Sequence, residues 1–207
     1  MHSFLYFHKK LIIKALTMKL TSKITFFICA SAMFLNSCSS DDSKDTTTTD
    51  SKTIKTFTDV TFSLDQSEGF DAGRYFSTEL GKSYKKSQID AATLPKIDIA
   101  FYSPSYTLNY FISPNDSDFG IKNAPLTVYI NYQKDILTID QFNKIEKAAD
   151  FDGIKIDADD EESFPDDSTP NIVLFKTAAG KKGAIYVKSV HRVGYDPRVI
   201  VDIKIQK

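Results

Sequence analysis

The stretch Val199-Ile200-Val201-Asp202-Ile203-Lys204-Ile205-Gln206 decides the fold class of this chain. Apolar side chains recur in it at every second position, and from Asp202 onward a polar side chain stands between them. A period of two with β-branched residues on one side predicts a strand that covers a core with one face and meets water with the other. This alternation is typical of antiparallel sheets.

The residues before this strand predict partners for it. Asn171 to Lys176 and Ala184 to Lys188 are strand-like, and Ala178-Ala179-Gly180-Lys181-Lys182-Gly183 between them has the composition of a hairpin turn. Asp196-Pro197 predicts a second turn, just before the last strand. We therefore expect the C-terminal part of the chain to form a three-stranded meander.

Three segments nearer the N-terminus alternate in the same way. Their apolar positions are Val60, Phe62 and Leu64; Ile97, Ile99 and Phe101; and Leu126, Val128, Ile130 and Tyr132. Ser113-Pro114-Asn115-Asp116 predicts a loop between the second and the third segment. The sequence thus predicts a mainly β domain, either an antiparallel sandwich or an open barrel.

One segment has helical instead of strand periodicity. Thr138-Ile139-Asp140-Gln141 has the spacing of a capping box, in which side chains at the first and fourth positions satisfy free backbone N–H groups. The apolar residues that follow lie near one helical face, which predicts a short amphipathic helix over 138–149 that ends near Gly153. A second short helix is expected around Lys85 to Ala92.

The N-terminus has the pattern of a targeting segment. Lys19 and Lys23 precede an apolar run over 24–35, which is shorter than the ~20 residues that span a bilayer. Leu35-Asn36-Ser37-Cys38 follows and resembles the lipobox of bacterial lipoproteins. The resemblance implies cleavage before Cys38 and a lipid on its thiol, with Met18 the more natural start. An ordinary secretory signal and a retained hydrophobic anchor are the alternatives.

A polar, low-complexity tract follows Cys38. It is rich in Ser, Asp and Thr, so it cannot bury enough apolar surface to fold. We expect a signal peptide over 1–37, a lipidated disordered tether over 38–52 and a single β-rich domain over 53–207. Serines and aspartates directly after the cysteine are similar to the export signals of Bacteroidetes lipoproteins, which implies the outer membrane and the cell surface.

Motifs in the body of the chain resemble small uncharacterised lipoproteins of the same bacteria. They are loose and turn-like, and include Phe76-Ser77-Thr78, Gly81-Lys82-Ser83-Tyr84 and Phe175-Lys176-Thr177 followed by Gly180-Lys181-Lys182-Gly183. The similarity would extend over most of residues 57–206. It implies membrane attachment through lipid and implies no activity.

The residue inventory excludes several kinds of chemistry. From Cys38 onward the chain has 26 − 5 = 21 basic and 27 acidic residues, a net charge of −6, which argues against nucleic acid as a partner. After Cys38 there is no cysteine, and His191 is the only histidine, so a disulfide, a thiolate zinc site and a multi-histidine metal site are excluded. The glycine spacing contains no phosphate-binding loop. We therefore expect no cofactor.

Two groups of residues are candidate binding sites. Tyr102, Tyr106 and Tyr110 flank a probable turn and could stack on sugar rings, although strand aromatics more often fill a core. The acidic stretch over 150–167 contains Asp157, Asp159 and Asp160, which could form an irregular calcium loop. An EF-hand does not fit, because the register of Gly153 puts alanine at the first ligand position.

These observations favour a binding protein over an enzyme. The first hypothesis is a non-enzymatic envelope lipoprotein that binds another envelope protein or belongs to a surface assembly. The alternatives are a small glycan-binding module that serves an uptake system and a small hydrolase with paired carboxylates.

Overall fold

The computed structural model describes residues 53–64, 72–105, 107–159, 162–164, 166, 171–193 and 196–207. The predictions for Cys38 and the tether, for Tyr106 and for Asp160 lie outside these residues. No helix within the described ranges is long and apolar enough to cross a membrane.

Nine strands form two antiparallel sheets in the described part of the chain. The strands are β1 (Ile54–Ser63), β2 (Tyr75–Ser77), β3 (Lys82–Tyr84), β4 (Ile99–Tyr102), β5 (Tyr110–Ile112), β6 (Thr127–Ile130), β7 (Asn171–Thr177), β8 (Lys182–Val193) and β9 (Asp196–Gln206). The larger sheet has the order β1-β9-β8-β7-β6 and the smaller sheet the order β3-β2-β4-β5. The predicted mainly β, antiparallel fold is confirmed, with two sheets that do not close into a barrel.

The two sheets enclose an apolar core between them. The last strand contributes all four of its alternating apolar residues to this core, as its pattern predicts. Phe62 of β1 and Phe101 and Phe111 of the smaller sheet add aromatic rings, and the Phe62 and Phe111 rings meet edge to face at 5.4 Å. Aromatic contacts of this kind add to the stability that burial itself provides.

Each outer face is covered in part, so the expectation of one water-facing side does not hold for the whole of either sheet. Ile172, Leu174 and Ala184 of the larger sheet pack under the segment 137–156, which contains α1 (Ile139–Lys144) and a 3-10 turn at Ala148–Phe151. Tyr75 and Ala100 of the smaller sheet form a second outer cluster. The cover comes from segments distant along the chain, which period-two patterns cannot reveal.

Strand β6 buries the face opposite to the one that the sequence favoured. Its buried face carries Thr127 and Tyr129, which are 0% and 1% exposed, although the sequence favoured the face with Leu126 and Tyr132. Those two residues are 52% and 40% exposed. The Tyr129 hydroxyl donates to the Asp98 carbonyl at 3.0 Å, so the polar end of this ring is satisfied inside the core.

The predicted meander is confirmed as β7, β8 and β9, but its second turn is displaced. Asp196 and Pro197 belong to β9, where they pair with Val193 and Arg192. Proline is tolerated near the start of a strand, because only its missing N–H limits pairing.

The predicted capping box is confirmed, and the helix is shorter than predicted. The Thr138 hydroxyl accepts from Gln141 N at 3.2 Å, and Gln141 Oε1 accepts from Thr138 N at 2.8 Å. The helix ends at Lys144, and Lys204 Nζ donates to the carbonyls of Phe142, Asn143 and Ile145 at 3.0, 3.1 and 3.0 Å. The second predicted helix is reduced to a 3-10 turn at Lys86–Gln88.

Candidate functional site

A groove of about 570 Å³ opens where β4 ends and β5 begins. We call it the aromatic-acidic groove, and its lining residues are Tyr102, Pro104, Tyr110, Phe111, Ile112, Ser113, Asp116, Asp118, Phe119, Asn131 and Asp159. Its volume falls within the range of about 300 to 1,000 Å³ that is typical of small-molecule sites.

Two of the three predicted tyrosines meet in this groove. Tyr102 and Tyr110 are direct cross-strand partners in the pairing of β4 with β5, so their side chains project from the same face of the smaller sheet. Both are half-buried. Burial raises the pKa of Tyr102, so its hydroxyl stays protonated and able to donate at neutral pH. The structure thus brings together the pair that the sequence singled out.

The most exposed ring of the groove belongs to Phe119, which the sequence did not single out. Its side chain is 43% exposed, and its ring stacks on the Tyr102 ring with centroids 4.0 Å apart and planes inclined by 22°. Tyr102 in turn lies 5.5 Å from the guanidinium carbon of Arg74. Nε and Nη2 of Arg74 have no hydrogen-bond partner among the described residues. The cation–π contacts of its guanidinium group with the tyrosine rings therefore stabilise its charge.

The loop that carries Phe119 is held by its own backbone and by one carboxylate. Asp116 Oδ1 accepts from the backbone N–H groups of Asp118 and Phe119 at 3.0 and 2.8 Å. Gly120 N donates to the Asp116 carbonyl at 3.0 Å, and Ile121 N to the Pro114 carbonyl at 2.7 Å. Aspartate commonly turns the chain in this way, by bonding to N–H groups two and three residues ahead. Phe119 is therefore positioned by a structured loop.

Three carboxylates give the groove its charge. Asp116, Asp118 and Asp159 line it, and none of the described lining residues is lysine or arginine. Asp159 Oδ1 accepts from the backbone N–H of Tyr129 at 2.6 Å, which caps the free edge of β6. Asp116 and Asp118 make no ion pair with any described basic side chain. The groove therefore disfavours anionic ligands and offers strong hydrogen-bond acceptors to hydroxyl or amine groups.

A partly buried polar network holds the turn between Tyr102 and Tyr110. Arg192 forms a two-pronged ion pair with Asp166, and its Nη2 also donates to Ser103 Oγ at 3.2 Å and to Asn109 Oδ1 at 3.3 Å. Asn109 is fully buried, and its Nδ2 donates to Asp166 Oδ1 at 2.7 Å. Because Ser103 and Asn109 directly follow and precede the two tyrosines, this network fixes the side of the groove.

A side-chain clasp joins the two sheets beneath the groove. Asn131 Oδ1 accepts from Phe111 N at 2.7 Å, and Asn131 Nδ2 donates to the Phe111 carbonyl at 2.9 Å. No described strand pairs with this edge of β5, and the Asn131 amide bonds to its backbone instead. The buried N–H and carbonyl of Phe111 are therefore not left unpaired. The two hydrogen bonds hold β5 to the segment that follows β6 at the floor of the groove.

The residues predicted to bind calcium are not gathered around one point in the described structure. Asp157 is exposed and lies 3.8 Å from Lys176 Nζ, whereas Asp159 points to β6. Among the described residues, no three His, Cys, Asp or Glu side chains are placed to hold a metal ion. Asp160 lies outside those residues, so the calcium site stays a prediction. His191 is exposed on β8.

No protein-family model matches the chain, and neither a curated protein nor a solved structure is found to be similar to it.

Proposed function

We propose that this protein is a lipid-anchored envelope protein that captures carbohydrate in the aromatic-acidic groove. The observation that carries the proposal is the stacked pair Tyr102–Phe119, presented beside the carboxylates of Asp116 and Asp118. A sugar ring has an apolar C–H face that suits an aromatic plane and hydroxyl groups that suit charged acceptors. The groove combines both kinds of contact.

The negative charge of the groove selects among classes of carbohydrate ligand. With three aspartates and no basic residue among the described lining side chains, a sulfated, phosphorylated or uronic acid sugar would be repelled. Neutral oligosaccharides are therefore the preferred ligands.

The position of the groove suits capture at a surface. The described chain begins at Thr53, and β1 runs from there to Ser63, a span of about 33 Å for ten strand residues. Ser63 lies beside Arg198, which pairs with His191 next to the Arg192 network. The groove thus lies at the end of the sandwich away from Thr53. A tether over 38–52 would join the domain at the end opposite the groove.

A binding role fits the groove better than hydrolysis. A hydrolase with paired carboxylates needs one of them protonated at neutral pH. Burial raises the pKa of Asp98, against the hydrogen bonds from Thr78 that lower it. Asp98 precedes β4 and does not line the groove, and its carboxylate is bound by the backbone N–H and the hydroxyl of Thr78.

The test of the groove is a binding measurement on an array of neutral oligosaccharides, followed by calorimetry on the best ligand. Phe119→Ala should weaken binding at least tenfold, because it removes the exposed stacking ring. Leu80→Ala is the matched control, since Leu80 is 44% exposed and does not line the groove. Binding that survives Phe119→Ala, or that Leu80→Ala weakens equally, would contradict the proposal.

The anchor has a separate test. Cys38→Ala should abolish incorporation of labelled palmitate and move the protein to the soluble fraction. A variant that still carries label in the membrane pellet would exclude Cys38 as the lipid site. The result is independent of whether the groove binds sugar.

A protein partner is the second candidate, and one observation favours it. Leu126 and Ile136 are exposed large apolar side chains near edge strand β6, at 52% and 43%. Crosslinking the intact protein in living cells should then recover one envelope protein in near-equal amount. Recovery of this protein alone would rule the partner out.

A further inference from the structure

A second pocket, of about 230 Å³, lies at the opposite end of the sandwich from the groove. Three lysines line it, Lys55, Lys96 and Lys181, together with Thr78, Glu79, Asp98 and Thr177. We call it the three-lysine pocket. It lies where the described chain begins, because Lys55 follows Thr53 by two residues and Lys207 N donates to the Thr53 carbonyl at 3.2 Å.

Two of the three ammonium groups are fixed by the protein. Lys55 Nζ donates to the carbonyls of Thr78 and Glu79 at 3.0 and 3.3 Å. Lys96 Nζ lies 2.8 Å from Glu79 Oε1. Neither lysine can swing far without breaking these contacts, so the positive charges are held in place before any ligand arrives.

The third ammonium group is available. Lys181 is exposed on the turn between β7 and β8, and its Nζ makes no hydrogen bond or ion pair with another described residue. Glu79 and Asp98 interact with it only at longer range. Its ammonium group keeps its hydrogen-bond donors available to a ligand in the pocket that Lys181 lines.

A buried hydroxyl at the same place has no partner. Thr177 is 8% exposed, and its Oγ1 is buried without a hydrogen bond to any described residue. Valine would fill the same space without the cost of an unsatisfied polar atom, so a hydroxyl here indicates a partner that the described residues do not supply. Thr177 lines the pocket, so rotation about its Cα–Cβ bond would let the hydroxyl donate to an oxygen-rich ligand there.

The charge balance favours an anion over a cation. Three ammonium groups face two carboxylates, Glu79 and Asp98, which leaves one positive charge. Both carboxylates are already engaged, Glu79 by Lys96 and Asp98 by the backbone N–H and the hydroxyl of Thr78. The excess charge therefore lies with Lys181.

We propose that the three-lysine pocket binds a phosphate-type oxyanion, which accepts hydrogen bonds from Lys181 and from the Thr177 hydroxyl. The phosphate can belong to a lipid headgroup or to a soluble phosphate ester. A headgroup fits because the pocket lies at the end of the domain from which the chain leads back to Cys38. This site is independent of carbohydrate binding in the groove.

The test measures the reactivity of individual lysines in the intact protein in nonionic detergent. An amine-reactive ester modifies exposed lysines, and peptide mass spectrometry gives the rate at each position. Inorganic phosphate at ten times its dissociation constant should slow the modification of Lys181 about tenfold. Lys155 is the internal control, because it is exposed and does not line the pocket. Chloride at matched ionic strength should protect neither lysine.

A variant separates a ligand-binding hydroxyl from a structural one. Thr177→Val should leave the protein at least as stable to urea, because it removes an unsatisfied buried hydroxyl, and should weaken the phosphate protection of Lys181 several-fold. Undiminished protection in this variant would remove Thr177 from the site.

Vesicles distinguish the two sources of phosphate. The intact protein is placed in phosphatidylcholine or in phosphatidylglycerol vesicles, without free phosphate. Protection of Lys181 over Lys155 on either lipid identifies a headgroup phosphate, and protection on phosphatidylglycerol alone identifies an anionic headgroup. Protection by inorganic phosphate alone identifies a soluble ligand. If Lys181 and Lys155 respond equally in every arm, the proposal is wrong.

Discussion

Replacing Gly120 by alanine should open the loop that presents Phe119. A Cβ atom at this position would lie 2.4 Å from Asp116 N, 2.6 Å from the Asp116 carbonyl oxygen and 2.6 Å from the Pro114 carbonyl oxygen. All three neighbours are backbone atoms of the same loop, so no side chain can rotate away to make room. The loop must therefore move.

The magnitude follows from the contacts that the movement breaks. The bonds from Gly120 N to the Asp116 carbonyl and from Ile121 N to the Pro114 carbonyl are each worth about 1 kcal/mol. The stacking of Phe119 on Tyr102 adds about 1 kcal/mol. We expect Gly120→Ala to lower the free energy of unfolding by about 3 kcal/mol and to abolish oligosaccharide binding.

Gly153→Ala is the matched control, because nothing lies within 4 Å of the Cβ that it adds. It should raise the free energy of unfolding by about 0.4 to 1 kcal/mol, since alanine restricts the unfolded chain. Urea denaturation followed by tyrosine fluorescence measures both variants. A Gly120→Ala protein within about 0.5 kcal/mol of the wild type, or an equal loss in Gly153→Ala, would refute the reasoning.

Two further predictions concern the elements around the site. Burial raises the pKa of Asp166, but hydrogen bonds from Arg192 and Asn109 outweigh it and leave the pKa below its ordinary value. The charged form is therefore favoured by folding, and its contribution is full above about pH 4 and lost as the pH falls through the lowered pKa. Asp166→Asn should flatten the loss of stability in urea titrations between about pH 5 and pH 2, and an unchanged acid slope would contradict this. Thr138→Ala should cost about 1 kcal/mol of stability by urea unfolding, because it removes the acceptor for Gln141 N, and a change near zero would show that the cap contributes little.

Two residues of the groove could be predicted from the sequence. Tyr102 and Tyr110 flank a turn at Ser103-Pro104-Ser105, and a turn brings its flanking residues together whatever the rest of the fold does. Phe119 could not be predicted, since it reaches Tyr102 through a loop that only the folded sheet positions. Asp116-Ser117-Asp118-Phe119-Gly120 contains the weak signal of an aspartate turn, without indicating where its aromatic ring points.

No local sequence pattern could have predicted the polar network behind the groove. Arg192 lies in β8 and Asp166 lies 26 residues before it, while Ser103 is 89 residues away along the chain. Their meeting depends on how the larger sheet packs against the smaller one. The same holds for the three-lysine pocket, where Lys55 and Lys181 come from opposite parts of the sequence.

The sequence by itself determined the features that depend on neighbours along the chain. These are the period-two strands, the hairpins of the meander and the capping box at Thr138, because main-chain geometry and local hydrogen bonds decide them within a few residues. Only the tertiary structure decided which strand faces are buried, that part of each outer face is covered, and which side chains meet in the two pockets. Those outcomes depend on packing between segments that are far apart in sequence, and packing is settled by shape and volume across the whole core.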